Sequence, residues 1–498
     1  MKRGMVVLAA FAAFALGIVG SAVAGLDFGQ DRDKSLAANA QNLFGVGKPV
    51  AASSQASIGQ AAANADPTAL VTLAKGLTAT PVTTMGAGSA APVIDMIALW
   101  PNSTDPEWLI ACNEEGTGQP GLQRINLATG QATTILTGTT SCDGVRRTPW
   151  ATFLFSEEAG GGPNGGRVYE LLDPIGTTGV TLNRATGVFS GGTGPENFAV
   201  RPFLGRLSFE GFAMYPNGIV YYGGEDRPLD GAIGGAIFKF VAACAATSCP
   251  SSLSGATPAD KLAASPLAHG TVYGLRLGRR PTGGTPNRDY GQATQTGLGT
   301  WVTMGSGDTE LDLRALSTTA PDVLTGFYRP EDIDLDQDAF ADGSVKWCVN
   351  NTGNESQDHL WGESVCLTDG TFENAAVNVG PNPEAANDDA PELQTFVVGT
   401  PELAMPDNMA YQPGRGNWII HEDGAGPDVG RNNDLWACLD DGKDDDSLSD
   451  GCVRVATLND LTAEWTGGVF DASGRNLYVS VQHNVTGHGV ILRISGWD

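Results

Sequence analysis

From Ile94 onward the chain carries short apolar runs that break at acids and glycine. Trp108-Leu109-Ile110 leads to Glu114-Glu115-Gly116, and Thr152-Phe153-Leu154-Phe155 leads to Glu157-Glu158. Ile219-Val220-Tyr221-Tyr222 leads to Glu225-Asp226, and Trp418-Ile419-Ile420 leads to Glu422-Asp423-Gly424. A run without acids, Leu477 to Val481, ends in Gln482-His483. Short runs rich in β-branched and aromatic residues, bounded by turn residues, predict strands. Phe327 to Asp336 adds an alternation, Ile333 and Leu335 against Asp334 and Asp336, which predicts a strand with one apolar and one acidic face. Pro330 fixes its own φ and is expected to hold Arg329 extended. Similar strands that bring acids to similar ends predict an all-β, six-bladed β-propeller, whose blades deliver strand ends to one central channel. About 400 residues over six blades leaves roughly 65 to 70 for each, more than a minimal blade, so long loop insertions are expected. The intervals are irregular and give no clean repeat. A β-sandwich with a second domain is the competing architecture.

The first residues read differently. Lys2 and Arg3 precede an apolar run from Met5 to Val19, and Ala22-Val23-Ala24 fits a small-x-small cleavage rule. This predicts a secretory signal over residues 1–24 with cleavage before Gly25, and a periplasmic or extracellular protein. Residues 25–90 are rich in Ala, Gly, Ser and Thr. A short helix is expected from Ala37 to Phe44 within an otherwise loosely ordered segment. The propeller domain is placed at residues 91–498. No later stretch is long and apolar enough to span a membrane.

Composition narrows the partners. The 498 residues hold 56 acids and 29 bases, a formal net charge of −27. That field repels polyanions and excludes nucleic acid as a partner. Eight cysteines in an exported chain predict disulfides, and proximity suggests Cys244–Cys249, Cys348–Cys366 and Cys438–Cys452. Cys112 and Cys142 remain, as a fourth bridge or with Cys142 as a thiolate ligand.

Arg329 two residues before the Glu331-Asp332 pair suits a hard cation that also holds an anionic oxygen substrate. Three other segments share this character: Cys142 to Thr152, Gly205 to Gly211, and Met405-Pro406-Asp407-Asn408-Met409. With the Arg-Pro-Glu-Asp stretch, Ile237-Phe238-Lys239-Phe240-Val241, Glu422-Asp423-Gly424 and Gln482-His483, they stand in an order that resembles the PhoX family of bacterial alkaline phosphatases. The resemblance runs from about residue 95 to the C-terminus. It implies a central site with ferric iron (Fe3+) and calcium (Ca2+), hydrolysing small-molecule phosphate monoesters in a monomer outside the cytoplasm. Carried over by position, Cys142, Glu210 and Glu331 match iron ligands, and Arg329 matches a phosphate-contacting arginine. Glu157, Glu158, Asp226, Asp332, Asp407 and Glu422 fall in motifs expected to supply calcium ligands. The chain departs from the family's pattern at Phe209, where His commonly precedes the glutamate, and at Ser156, where a second Cys is frequent. The loop after Cys142 also departs, lacking the family's paired glycines. Two other readings compete: a lactonase-type hydrolase with one axial calcium, and a calcium-stabilised propeller without catalysis. His421 and His483 read as surface or structural hydrogen-bonding residues, and the Asp440 to Asp446 run reads as a solvated loop.

Overall fold

The structure is a computed structural model. It describes residues 34–227, 234–277, 296–306, 310–319, 324–353, 361–379, 391–424, 430–441 and 447–498. The expected signal segment and most of the Asp440 to Asp446 loop lie outside these residues.

The described chain is all-β with a propeller-like arrangement and a few short helices. Its strands form sheets of five, six, four, nine and four strands, almost wholly antiparallel. Six inner strands organise them: β1 (Ile94–Trp100), β2 (Cys142–Arg147), β3 (Phe209–Met214), β4 (Pro330–Leu335), β5 (Pro406–Tyr411) and β6 (Glu464–Phe470). These pack side by side in chain order, and β6 returns to β1, so the ring is closed. Each begins an antiparallel hairpin with the strand that follows it. The nine-stranded sheet curls so that its edge strands β3 and β4 meet.

Sheets stacked on both sides leave an inner strand no solvent face, and β3 is buried along its whole length. This is why the strand-like runs are nearly continuous in apolar residues and alternate weakly. The acidic face of β4 is interior, with Asp332 only 1 % exposed.

The segment before Ile94 is folded, contrary to the expectation of loose order. Its helix is split into Lys34–Ala38 and Ala40–Phe44. Leu36, Phe44 and Leu70 are buried in one cluster with Ala456, Val479 and Trp497. Small residues that read as low complexity, Ala40, Ala63 and Ala74, are what let the segment lie flat against the two last sheets. Val71–Leu73 joins the sheet of β5, and Thr78–Pro81 pairs with Val490–Ser495 as the outer strand of the sheet of β6.

Four disulfides hold all eight cysteines. Cys244–Cys249, Cys348–Cys366 and Cys438–Cys452 form as expected, and Cys112 bonds Cys142.

Candidate metal-binding active site

The same irregularity marks all six inner strands. Two residues bulge before pairing resumes, after the first cross-strand pair at 95–96 in β1, 143–144 in β2, 210–211 in β3, 331–332 in β4 and 407–408 in β5, and after the third at 467–468 in β6. A β-bulge breaks the ladder and re-aims a side chain. In five of the six the first bulged residue is acidic: Asp95, Asp143, Glu210, Glu331 and Asp407. A second series lies one residue beyond the pairing partner, on the neighbouring strand: Glu114, Glu158, Glu225 and Asp423. Thr352 takes that place beside β4 and donates to Glu331 Oε1 at 3.2 Å. In β6 the bulge is Gly467-Gly468, and the acid is Glu464 at the strand's start.

These carboxylates converge. Oxygens of Asp95, Glu114 and Asp143 lie within 4.8 Å of one another, as do those of Asp143, Glu158 and Glu210. Oδ1 of Asp95 and Oδ1 of Asp143 are buried without a hydrogen-bond partner. Burial first, and then the neighbouring carboxylates, push Asp95, Glu158, Glu210, Asp407 and Glu464 well above the usual range. Asp143 rises in the same way, chiefly by burial. Glu331 is pushed up to about 8 by burial, with Arg329 working against the rise. So many acids cannot ionise together at this spacing without positive charge between them. An all-oxygen donor set with orphaned buried acceptors fits hard cations.

Arg329 is the ring's buried cation. Its Nε lies 2.9 Å from Glu225 Oε1 and 2.9 Å from Glu331 Oε1, and Nη2 lies 3.4 Å from Asp423 Oδ2. Burial opposes ionisation of Glu225 and Asp423, yet both stay below the usual carboxylate range; Arg329 is the largest aid at Glu225, and at Asp423 it adds to a hydrogen bond from Glu464. The expected extended backbone at Arg329 is not found. Its φ is +54°. Pro330 disfavours only the right-handed region before it. The left-handed turn is held by Arg329 N–H donating to the Asp226 carbonyl at 3.2 Å and by the Arg329 carbonyl accepting from Thr352 N–H at 3.0 Å. Met405, before Pro406, repeats the turn at φ +54°.

The structure brings Glu158, Glu210, Glu331, Asp407 and Arg329 together and sends five other candidates elsewhere. Cys142 is in its disulfide, so its sulfur is not a free thiolate, and Asp143 beside it faces the ring. Glu157 binds Arg184 Nε at 2.7 Å and accepts from Tyr169 Oη at 3.0 Å. Glu422 accepts from Arg431 Nη1 at 2.6 Å and from the Asp434 N–H at 2.8 Å. Asp226 pairs with Arg314 near the surface. Asp332 accepts from Arg146 Nη2 at 2.8 Å and from the Met409 N–H at 3.3 Å, which ties β2, β4 and β5 together beneath the ring. Asp95, Asp143 and Glu464 were not singled out in the sequence, and Glu114, Glu225 and Asp423 were read as strand-end acids without a ligand role. His421 is buried against Gly468, with its imidazole lowered to about 3 by burial and neither ring nitrogen hydrogen-bonded, so it is not the hydrogen-bonding residue expected.

The profile of the family described as alkaline phosphatase PhoX matches residues 116–484. The chain belongs to the PhoX alkaline phosphatase family. No curated protein matches it in sequence. Among solved structures, this PhoX-family chain is similar to Pseudomonas fluorescens PhoX in complex with vanadate, a transition state analogue. The TM-score is 0.57 at 15 % identity, over 90 % of this chain and 98 % of that one. It is also similar to a PQQ-bound aldose sugar dehydrogenase from Streptomyces coelicolor, with TM-score 0.41, 12 % identity and 84 % and 98 % covered. Asp95 and Glu114, which complete one of the two carboxylate groups, lie just before the matched stretch.

Proposed function

We propose that this chain is an exported, metal-dependent phosphatase that hydrolyses phosphate monoesters at the acidic ring of a six-bladed propeller. The nine-stranded sheet counts as two blades joined at their outer edges by the short pairing of Gly297-Leu298 with Glu392-Leu393. The observation that carries the function is the bulge acid repeated on five inner strands around one buried arginine, in a chain of the PhoX family.

Asp95, Glu114 and Asp143 would hold one cation, and Asp143, Glu158 and Glu210 a second, with Asp143 shared between them. Hard cations there, calcium and ferric iron, supply Lewis acidity towards phosphoryl oxygens. With no sulfur in the donor set, both ions would be held by carboxylates alone. Arg329 takes the phosphoryl group: its planar fork matches two oxygens of a tetrahedral anion, and its left-handed backbone fixes the direction of approach. The carboxylates now on Arg329 keep it charged and oriented until substrate arrives. All eight cysteines in disulfides support an oxidising compartment.

The test pairs elemental analysis with p-nitrophenyl phosphate turnover for wild type, Asp143→Asn and Arg329→Ala. Wild type should carry metal and turn over. Asp143→Asn, which removes the carboxylate common to both groups, should lose both properties. Arg329→Ala should keep its metal and lose kcat/KM by roughly two to three orders of magnitude. Metal-loaded wild type that hydrolyses no phosphomonoester would falsify the reading and leave a non-catalytic propeller.

A further inference from the structure

One residue beyond the partner of each inner strand's first pair stand Glu114, Glu158, Glu225, Thr352 and Asp423, for β1 to β5 in order. In β6 the first pair is Glu464 with Gln482, so the sixth place falls to His483. The bulge of β6 comes two pairs later than in the other strands. This end of the hairpin therefore stands two residues further out, about 7 Å at the rise of a strand. His483 Nε2 lies 3.1 Å from Glu464 Oε1, and 50 % of its side chain is in solvent against 15 % for Glu464. Its second ring nitrogen has no partner among the described residues. The backbone at His483 is left-handed, with φ +53°, as at Arg329 and Met405. A non-glycine residue keeps such a conformation where its surroundings fix it. Here the His483 carbonyl accepts from Thr462 Oγ1 at 3.3 Å, and Gln482 Nε2 donates to Glu114 Oε2 at 2.6 Å. Asn484 Nδ2 closes the turn by donating to the Val481 carbonyl at 2.6 Å. The imidazole is thus half in solvent on a backbone that is held in place.

A chain of polar contacts leads from that imidazole to the ring's buried arginine. Glu464 hydrogen-bonds Asp423, and Asp423 Oδ2 lies 3.4 Å from Arg329 Nη2. Beneath the ring the interior is taken by Arg146, Asp332 and the strands they join. An ester whose phosphoryl group sits on Arg329 must therefore turn its organic part outward, to the side where His483 stands. An alkoxide leaves poorly unless a proton meets it, and an imidazole held by a carboxylate on one nitrogen can give that proton from the other. We propose that His483 is the proton donor to the leaving oxygen, its ring oriented by Glu464, so that the substrate class extends to phosphate esters of alkyl alcohols. This rests on the phosphatase reading above. As the P–O bond to the alcohol breaks, the electron pair stays on the departing oxygen, which takes the proton of the imidazolium. The oxygen of water forms the new bond to phosphorus. One hydrogen of that water stays on the phosphate released, and the other returns to the imidazole through solvent.

The experiment compares two esters in metal-loaded enzyme. Glycerol 2-phosphate has an alkoxide that needs a proton to leave, and p-nitrophenyl phosphate has a phenolate that leaves without one. The variants are His483→Asn and His483→Gly, because Asn and Gly are the residues that best tolerate a left-handed backbone. In His483→Asn, kcat for the glycerol ester should fall roughly a hundredfold further than kcat for the nitrophenyl ester. Imidazole added to His483→Gly should raise turnover of the glycerol ester selectively. A residue that only shapes the mouth moves both esters alike. If both esters fall equally, if neither falls, if imidazole raises both alike, or if wild type turns over only the nitrophenyl ester, the assignment of His483 is wrong and the phosphatase reading stands. If wild type turns over neither ester, the phosphatase reading fails and this inference goes with it.

Discussion

Neighbouring acids in this chain do opposite jobs. Successive strand residues point to opposite faces, so in the pairs Glu157-Glu158 and Glu422-Asp423 one side chain reaches the ring and the other reaches the body of a sheet. Glu158 faces Asp143 and Glu210 while Glu157 is locked to Arg184 and Tyr169. Asp423 faces Arg329 while Glu422 is locked to Arg431. The dipeptides were legible in the sequence. Which member served the site was not, because a one-residue choice of face depends on where the bulge falls, and no local propensity records that. The pair at 157–158 separates the two jobs by experiment. Glu157→Gln should cost about 1–3 kcal/mol in urea melts, because it removes the ionic acceptor of buried and half-buried donors, and metal content should hold. Glu158→Gln should lose metal, while the metal-free protein stays as stable or gains, because one repelling carboxylate is gone. Equal behaviour of the two variants would contradict this division.

At the scale of the element, the bulge is the unit that recurs. It was invisible as a repeat because the loops between inner strands vary, and the spacing between successive bulge acids more than doubles between β1–β2 and β3–β4. What the sequence did carry was the strand ends, and with them the channel. The bulges also bring inner strands unusually close. A Cβ at Gly211 would collide with Asp332 Oδ1 and the Ile333 backbone nitrogen, and one at Gly144 with the Glu210 carbonyl. Gly211→Ala should therefore force β3 from β4, destabilise by about 1–3 kcal/mol, and displace Glu210 from its group. The check is thermal melting beside metal analysis. A variant with unchanged melting and full metal content would show that this close approach is not needed.

For the whole molecule, the ring is a charge reservoir that only cations relieve. An ion that binds only the folded state stabilises by mass action, about 2.7 kcal/mol at a hundred times its Kd for one site. Chelation should lower Tm, and calcium should restore it; an unchanged melt after confirmed metal loss would refute this. The pH dependence follows with a definite sign. Folded Glu331 titrates near 8 and Asp332 near 7, both raised chiefly by burial, and Asp95, Glu158, Glu210, Asp407 and Glu464 are raised too. Between the ordinary carboxylate range and about pH 8 the unfolded chain has released protons that the folded chain keeps. Stability of the metal-free protein therefore falls as pH rises through that window. Glu225 and Asp423, which are lowered, act in the other direction, and their contribution is lost only below the ordinary range. Saturating calcium should flatten the fall, as denaturant melts from pH 5 to 8 would register.

The pairing of Thr78–Pro81 with Val490–Ser495 has a consequence in time rather than in space. The strand that completes the last sheet is among the earliest of the described residues to be synthesised, and its partner is among the last. That sheet cannot be completed while the ribosome still holds the distal strand, however well the intervening sheets have formed. Until then the edge at Val490–Ser495 has no mate, and the apolar surface around Trp497 and Leu70 lacks its cover. Nascent fragments that stop short of that strand leave the last sheet incomplete.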